Sequence, residues 1–225
     1  MSMTLQEIRD QVIEDLDLSE EYWKSEGDLN KLINRAIRQA HRKIISIYED
    51  YFLSSSIVSI AADINSIDYP TDIYANKIKS IHFYDGTSSI KISRVNRFDE
   101  TIMLDNHITN NTIYRKWLAV DNLSGGQKIK LYPKLGNAGT ITIWYIREPK
   151  KLVNDDDVCD INEFYDYIIQ LTKKIYYQED ADPRYALEKQ EALELEKEMV
   201  DTLTNMTVGN DDLIVQDMSH YCDSV

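Results

Sequence analysis

Apolar residues recur at helical spacing from the start of the chain. Leu5, Ile8, Val12 and Leu16 form one such line, opened by Thr4 with Glu7 three residues later, the arrangement of a capping box. The linker DLSEEYWKSEGD follows. Ser25 and Asp28 make a second box, and DLNKLINRAIRQAHRKIISIYEDYF reads as a long helix. Its inward line is Leu29, Leu32, Ile33, Ala36, Ile37, Ala40, Ile44 and Ile47. Lys31, Arg35, Arg38 and Arg42 fall at i, i+4, i+7 and i+11, so four positive charges share one stripe.

Near residue 53 the period changes from helical to alternating. SSSIVSI, NKIKSIHFYD, SSIKISRV, NTIYRKWL, QKIKLYP and GTITIWYI are short. Ile129 and Leu131 oppose Lys128 and Lys130; Ile90 and Ile92 flank Lys91. Ile141, Ile143 and Tyr145 oppose Thr142, Trp144 and Ile146. These predict antiparallel strands with one face wetter than the other. DYP, YDG, LSGG and KLGNAG supply turns, and RFDETIMLDNHITNN reads as an irregular loop.

Helical spacing returns after the acidic turn VNDDDVCD. Asp160 and Glu163 predict a third capping box, before an apolar line of Phe164, Tyr167, Ile168, Leu171 and Ile175. EDADP breaks the pattern. Asp182 is a natural N-cap with Pro183 at the first helical position, and the last helix is expected to run to about Asn205. Leu187, Ala192, Leu195, Met199 and Leu203 are its expected inward residues. So short a connection predicts an αα-hairpin. The predicted class is α+β: a helical bundle made of an N-terminal helix pair (1–52) and a C-terminal αα-hairpin (158–205), an inserted antiparallel β domain (53–157) and an extended C-terminal tail (206–225).

Composition narrows the function classes. The chain has 225 residues, 43% of them apolar, which suffices for a real core. No apolar run reaches 18 residues, and MSMTLQEIRD is not a secretory leader, so neither a membrane span nor signal-directed export is expected. Fifteen tyrosines suit a core or an interface. The net charge of −14 is unevenly placed: −4 over 1–50, +3 over 51–150 and −13 over 151–225. That balance opposes tight wrapping of DNA.

Candidate chemistry is sparse. Cys159 and Cys222 cannot staple the fold or build a four-ligand metal site alone. His41, His82, His107 and His220 are scattered, without an HExxH or paired CxxC frame, and His41 beside Arg42 reads as part of a solvated or interfacial face. SGGQK lacks the P-loop frame and precedes a strand. NDDDVCD lacks calcium-loop spacing, and no GxSxG elbow occurs. No catalytic residue, metal or cofactor is assigned. The basic stripe fits a solvated face, pairing with the acidic C-terminal hairpin of this or a neighbouring copy, or nucleic-acid contact. Leu213, Ile214 and Val215 form an apolar patch suited to ordering on a partner.

Three stretches resemble the head-to-tail adaptor, or connector, proteins of tailed bacteriophages. They are EYWKSEGDLNKLINRAIRQAHRKI, IKLYPKLGNAGTITIWYIREPKKL and DINEFYDYIIQLTKKIYYQEDADPRYALEKQEALELEKEMVDTL. DYPTDIYANKIKSIHFYDG is similar to the Leu-Pro stretch that enters the β part of such proteins, with Tyr69 in place of Leu. The likeness spans roughly 3–205. It is closer to the portal-docked adaptors and upper tail-tube ring proteins of short-tailed phages.

The resemblance implies a virion protein without enzymatic turnover, assembled in the host bacterial cytoplasm into a homo-oligomeric ring of twelve copies at the head–tail junction. Such a ring binds the portal protein and downstream tail proteins, and genome DNA passes through it during packaging and ejection. Lys31, Arg35, Arg38 and Arg42 are then expected at the subunit interface, and Leu213, Ile214 and Val215 at the portal or a neighbouring ring. A nucleic-acid-binding module using the basic stripe and a cell-wall glycan hydrolase are the alternatives. No acid pair matches a defined hydrolase motif.

Overall fold

The computed structural model describes residues 3–16, 26–95, 116–122 and 126–215. They divide into two compact units: 1–51 with 149–225, and 52–148. The first unit is helical. Its elements are α1 (Leu5–Leu16), α2 (Glu26–Ile47), α3 (Tyr165–Glu179) and α4 (Tyr185–Val215). As the spacing predicts, Leu5, Ile8, Val12 and Leu16 are all buried, and so are Leu29, Leu32, Ile33, Ala36, Ile37, Ala40 and Ile44. α3 packs against both α2 and α4, burying Tyr167, Ile168, Leu171 and Ile175. An N-terminal helix pair and a C-terminal helix pair therefore share one core.

The chain's first cap is the predicted box. Glu7 N donates to Thr4 Oγ1 at 3.2 Å, and Thr4 N donates to Glu7 Oε2 at 2.8 Å. Ser25, half of the second predicted box, lies outside the described residues. The third box does not form. α3 begins after Phe164, which makes no side-chain cap. Asp160 instead accepts the Lys150 N–H at 2.7 Å, and Glu163 accepts the Tyr51 hydroxyl. Both carboxylates are used by chain segments that local spacing cannot bring into view.

The α3–α4 connection is a Schellman motif. Asp182 N donates to Tyr177 O at 3.0 Å, Ala181 N donates to Gln178 O at 3.4 Å, and Ala181 takes the left-handed conformation at φ 51°. Asp182 Oδ1 then accepts Arg184 N at 2.8 Å in the turn that leads into α4; the helix begins at Tyr185, two residues after Pro183, its expected first position. The predicted hairpin thus forms. α4 continues to Val215, so residues 206–215 are helical rather than extended; 216–225 lie outside the described residues. Leu187, expected inward, is 57% exposed, because the core line of α4 runs through Glu188, Ala192, Met199 and Leu203. Leu195 is half-buried.

Residues 149–157, read from sequence with the β domain, are tied to α1 and α2. Asn34 Nδ2 donates to Leu152 O at 2.8 Å, and Leu152 N donates back to Asn34 Oδ1 at 2.9 Å. Arg9 meets Asp155 at 2.9 Å. Leu5 N donates to Asp157 O at 2.8 Å.

The second unit is a seven-stranded sheet in the order β1-β7-β3-β4-β5-β6-β2. The strands are β1 (Leu53–Ile60), β2 (Ile64–Asp68), β3 (Ile73–Tyr84), β4 (Ser89–Arg94), β5 (Lys116–Asn122), β6 (Gly126–Leu135) and β7 (Gly139–Arg147). β7 pairs with β1, matching Val58 to Ile141, and with β3, matching Ile81 to Ile143. The predicted alternation holds as far as Tyr145: Ile129, Leu131, Ile141, Ile143 and Tyr145 are buried, while Trp144 is 39% exposed; Ile146, expected on the wetter face with Trp144, is buried as well. Trp117 joins this core under the Arg94 guanidinium, 5.3 Å from the ring centroid.

Two details depart from the expected set of antiparallel strands. β2 is an additional strand; its five residues sit among Asp63, Asn65, Asp68 and Pro70, which read as turn. β4 and β5 pair in parallel, Ser93 with Lys116 and Arg94 with Trp117. Parallel neighbours need a long crossover, and the chain between Arg94 and Lys116 has the length for one. The predicted loop within that stretch, RFDETIMLDNHITNN, lies outside the described residues.

Candidate functional site

The charged side chains of the helical unit are the candidate site. Lys31, Arg35, Arg38 and Arg42 are all exposed on α2, on the side away from Ile33, Ala36, Ala40 and Ile44. Lys31 Nζ meets Asp28 at 2.7 Å. Arg35 Nη1 reaches Glu179 at the end of α3 at 2.8 Å, so one charge of the stripe is matched by the acidic hairpin of the same chain. Arg42 Nε donates to Arg38 O at 3.2 Å. Among the described residues, Arg38 and Arg42 meet no carboxylate.

Beside the stripe, α2, α3 and α4 form an open cleft lined by Gln39, Arg42, Lys43, Ser46, Tyr167, Leu171, Lys174 and Glu196. Glu196 accepts from Lys43 at 2.7 Å and from the Tyr167 hydroxyl at 3.0 Å. Burial pushes the Glu196 carboxyl up, but these two hydrogen bonds together with the charges of Lys43 and Lys174 outweigh it and hold the group below its ordinary range. Burial, followed by the Glu196 charge, pushes the Tyr167 phenol up. Burial pulls the Lys174 amine down, and neighbouring Lys189 adds to the effect against the opposing pull of Glu196. Three cations, Arg42, Lys43 and Lys174, and one carboxylate, Glu196, thus line the cleft.

Deeper in the unit the charges are matched. Lys173 lies 3.5 Å from Asp15 and 3.4 Å from Glu188, linking α1, α3 and α4. Buried Gln170 Nε2 donates to Glu188 at 2.7 Å and to Glu191 at 2.9 Å. His41, expected on a solvated or interfacial face, is 1% exposed; its position in the period of α2 puts it on the core side. Cys159 is buried, which pushes its thiol up. His107, His220 and Cys222 lie outside the described residues.

The sequence marks the C-terminal hairpin as acidic; the structure shows which side of α4 faces outward. Glu191, Glu194, Glu198 and Asp201 are exposed and recur at 3, 4 and 3 residues, with Leu187 one turn before them. The spacing was the available signal. It was obscured by assigning Leu187 to the core. Leu213, Ile214 and Val215 fall in the last turn of the α4 backbone.

Among the described residues no cluster of three or more His, Cys, Asp and Glu has the arrangement to hold a metal ion, and no helix is long and apolar enough to cross a membrane. The consecutive acids of the predicted turn have separate structural partners: Asp155 holds Arg9, and Asp157 accepts the Val153 and Asn154 N–H groups at 2.8 and 2.9 Å. What the arrangement offers is charged surface on a packed helical frame.

The family model described as SU10 adaptor protein matches residues 3–212, taking in both helix pairs and the inserted sheet. No curated protein matches the chain. With nearly its whole length covered by that model, the chain belongs to the SU10 adaptor protein family, structural head–tail connector proteins of tailed-bacteriophage virions.

Proposed function

We propose that the chain forms a ring, twelve copies in circumference, seated on the portal protein as in short-tailed phages. Genome DNA passes through the ring during packaging and ejection, and downstream tail proteins dock below it. The observation that carries this reading is the match to one adaptor family over residues 3–212. A net charge of −14 suits a passage that DNA must traverse without being gripped. A closed ring needs two different, complementary faces on each subunit, and Lys31, Arg35, Arg38 and Arg42 are proposed to belong to one of them. Leu213, Ile214 and Val215 are proposed to contact the portal or a neighbouring ring. Assembly takes place in the host cytoplasm and the mature location is the head–tail junction.

The test is a mass measurement of the full chain with and without portal. The expected result is a defined multimer of the chain on each portal. A chain that stays monomeric in the presence of portal contradicts the reading.

A further inference from the structure

α2 and α4 each expose a line of like charge, and the two lines have opposite signs. On α2, Lys31, Arg35, Arg38 and Arg42 recur at 4, 3 and 4 residues; on α4, Glu191, Glu194, Glu198 and Asp201 recur at 3, 4 and 3. At the α-helical rise of 1.5 Å per residue both lines are about 15 Å long. Within one chain they do not neutralise each other. Each points away from the core line of its own helix. Lys31 and Arg35 are matched by Asp28 and Glu179. Arg38 and Arg42 meet no carboxylate among the described residues, and Glu198 and Asp201 meet no cation there. Leu187 stands exposed at the head of the acidic line.

We propose that the acidic line of α4 in one copy docks on the basic line of α2 in the next, with Leu187 as its apolar anchor. This deepens, and rests on, the ring reading. The occupant is a second copy of this chain because the chain itself carries a ridge of matching length, matching helical period and opposite charge. Exposed ion pairs contribute little each and are screened by salt, so they set orientation and register more than affinity. The contact is heterologous, one surface on each side, as a closing ring requires.

A charge-swap experiment tests it. One full-length variant carries Arg38→Glu and Arg42→Glu, the other Glu194→Arg and Glu198→Arg. Native mass spectrometry follows wild type, each variant and their equimolar mixture, with and without portal. Wild type is expected to oligomerise, each variant alone to do so at least ~10-fold more weakly, about the effect of 1.4 kcal/mol, and the mixture to regain oligomers containing both variants. If a reversal lowers the melting temperature, the neutral Arg38→Gln and Glu194→Gln replace it, and each is expected to reduce the salt dependence of assembly. Wild-type oligomers that survive either reversal overturn this contact alone, as does a folded mixture that stays dissociated or an unchanged salt dependence in the neutral variants. So does a basic line whose reversal abolishes DNA retention without touching assembly. Wild type that forms no oligomer in any condition overturns the ring reading and the contact with it.

Discussion

Gly139 shows how one position can be fixed by its neighbours. A Cβ there would lie 2.3 Å from Tyr84 O and 2.7 Å from the Phe83 ring. The nearest atom is backbone in a central strand, so it cannot step aside cheaply. Gly139→Ala is expected to destabilise the β unit by about 1–3 kcal/mol, the range for overpacking, measured by urea denaturation. Asp157 gives a pH-dependent counterpart. Hydrogen bonding from the Asn154 backbone, then from Lys150, then from the Val153 backbone, lowers its carboxyl from 3.8 to about 2. A depressed folded-state pKa means stability that is present above the ordinary value and lost as pH falls from about 4 to about 2. The stability gap between wild type and Asp157→Asn, read from urea midpoints, is expected to be open at about pH 5 and to narrow at about pH 2.5. A gap independent of pH contradicts this. The sequence marks Gly139 only as a turn residue and Asp157 only as one acid of three. The close approach of Tyr84 and the hydrogen bonds from Asn154, Lys150 and Val153 are tertiary facts. Thr4 and Glu7, by contrast, were legible because both partners of that cap sit within one turn.

The α3–α4 joint contains a correctable strain. Ala181 occupies the left-handed position that glycine normally fills in this motif. Ala181→Gly is expected to stabilise the helical unit by about 1 kcal/mol, seen as a raised thermal midpoint, since the left-handed conformation costs a residue with a Cβ about 1–2 kcal/mol. Asn34 carries the opposite risk. It satisfies both backbone groups of buried Leu152, and Asn34→Ala leaves them without these partners. At about 1–3 kcal/mol per orphaned buried group, a loss of about 2–6 kcal/mol is expected in the same assay. Helices were the most legible elements because their apolar periods are long: every predicted core position of α1, and most of those of α2, is buried. Legibility fell where a period was masked. The α4 period was misread at Leu187, and the Asp160/Glu163 box was a local pattern overruled by Lys150 and Tyr51. β2 was hidden by turn-forming residues, and the parallel β4–β5 pairing by the length of chain between its strands.

For the whole molecule, the sequence separates charge by region and sets the basic stripe of α2, and the structure adds the outward acidic line of α4. The uneven charge was visible from counting. The outward direction of the acidic line was not, because it depends on which side of α4 packs on α3. The truncation of 206–225 is expected to abolish portal co-sedimentation while leaving the helical melting transition in place; normal co-sedimentation of the truncated chain contradicts the proposed role of Leu213, Ile214 and Val215. The most direct test of the central claim is electron cryomicroscopy of the full chain mixed with its portal. The expected result is a closed ring of this chain coaxial with the portal and an open central channel. A chain bound off-axis, or absent from portal particles at saturating concentration, would contradict it.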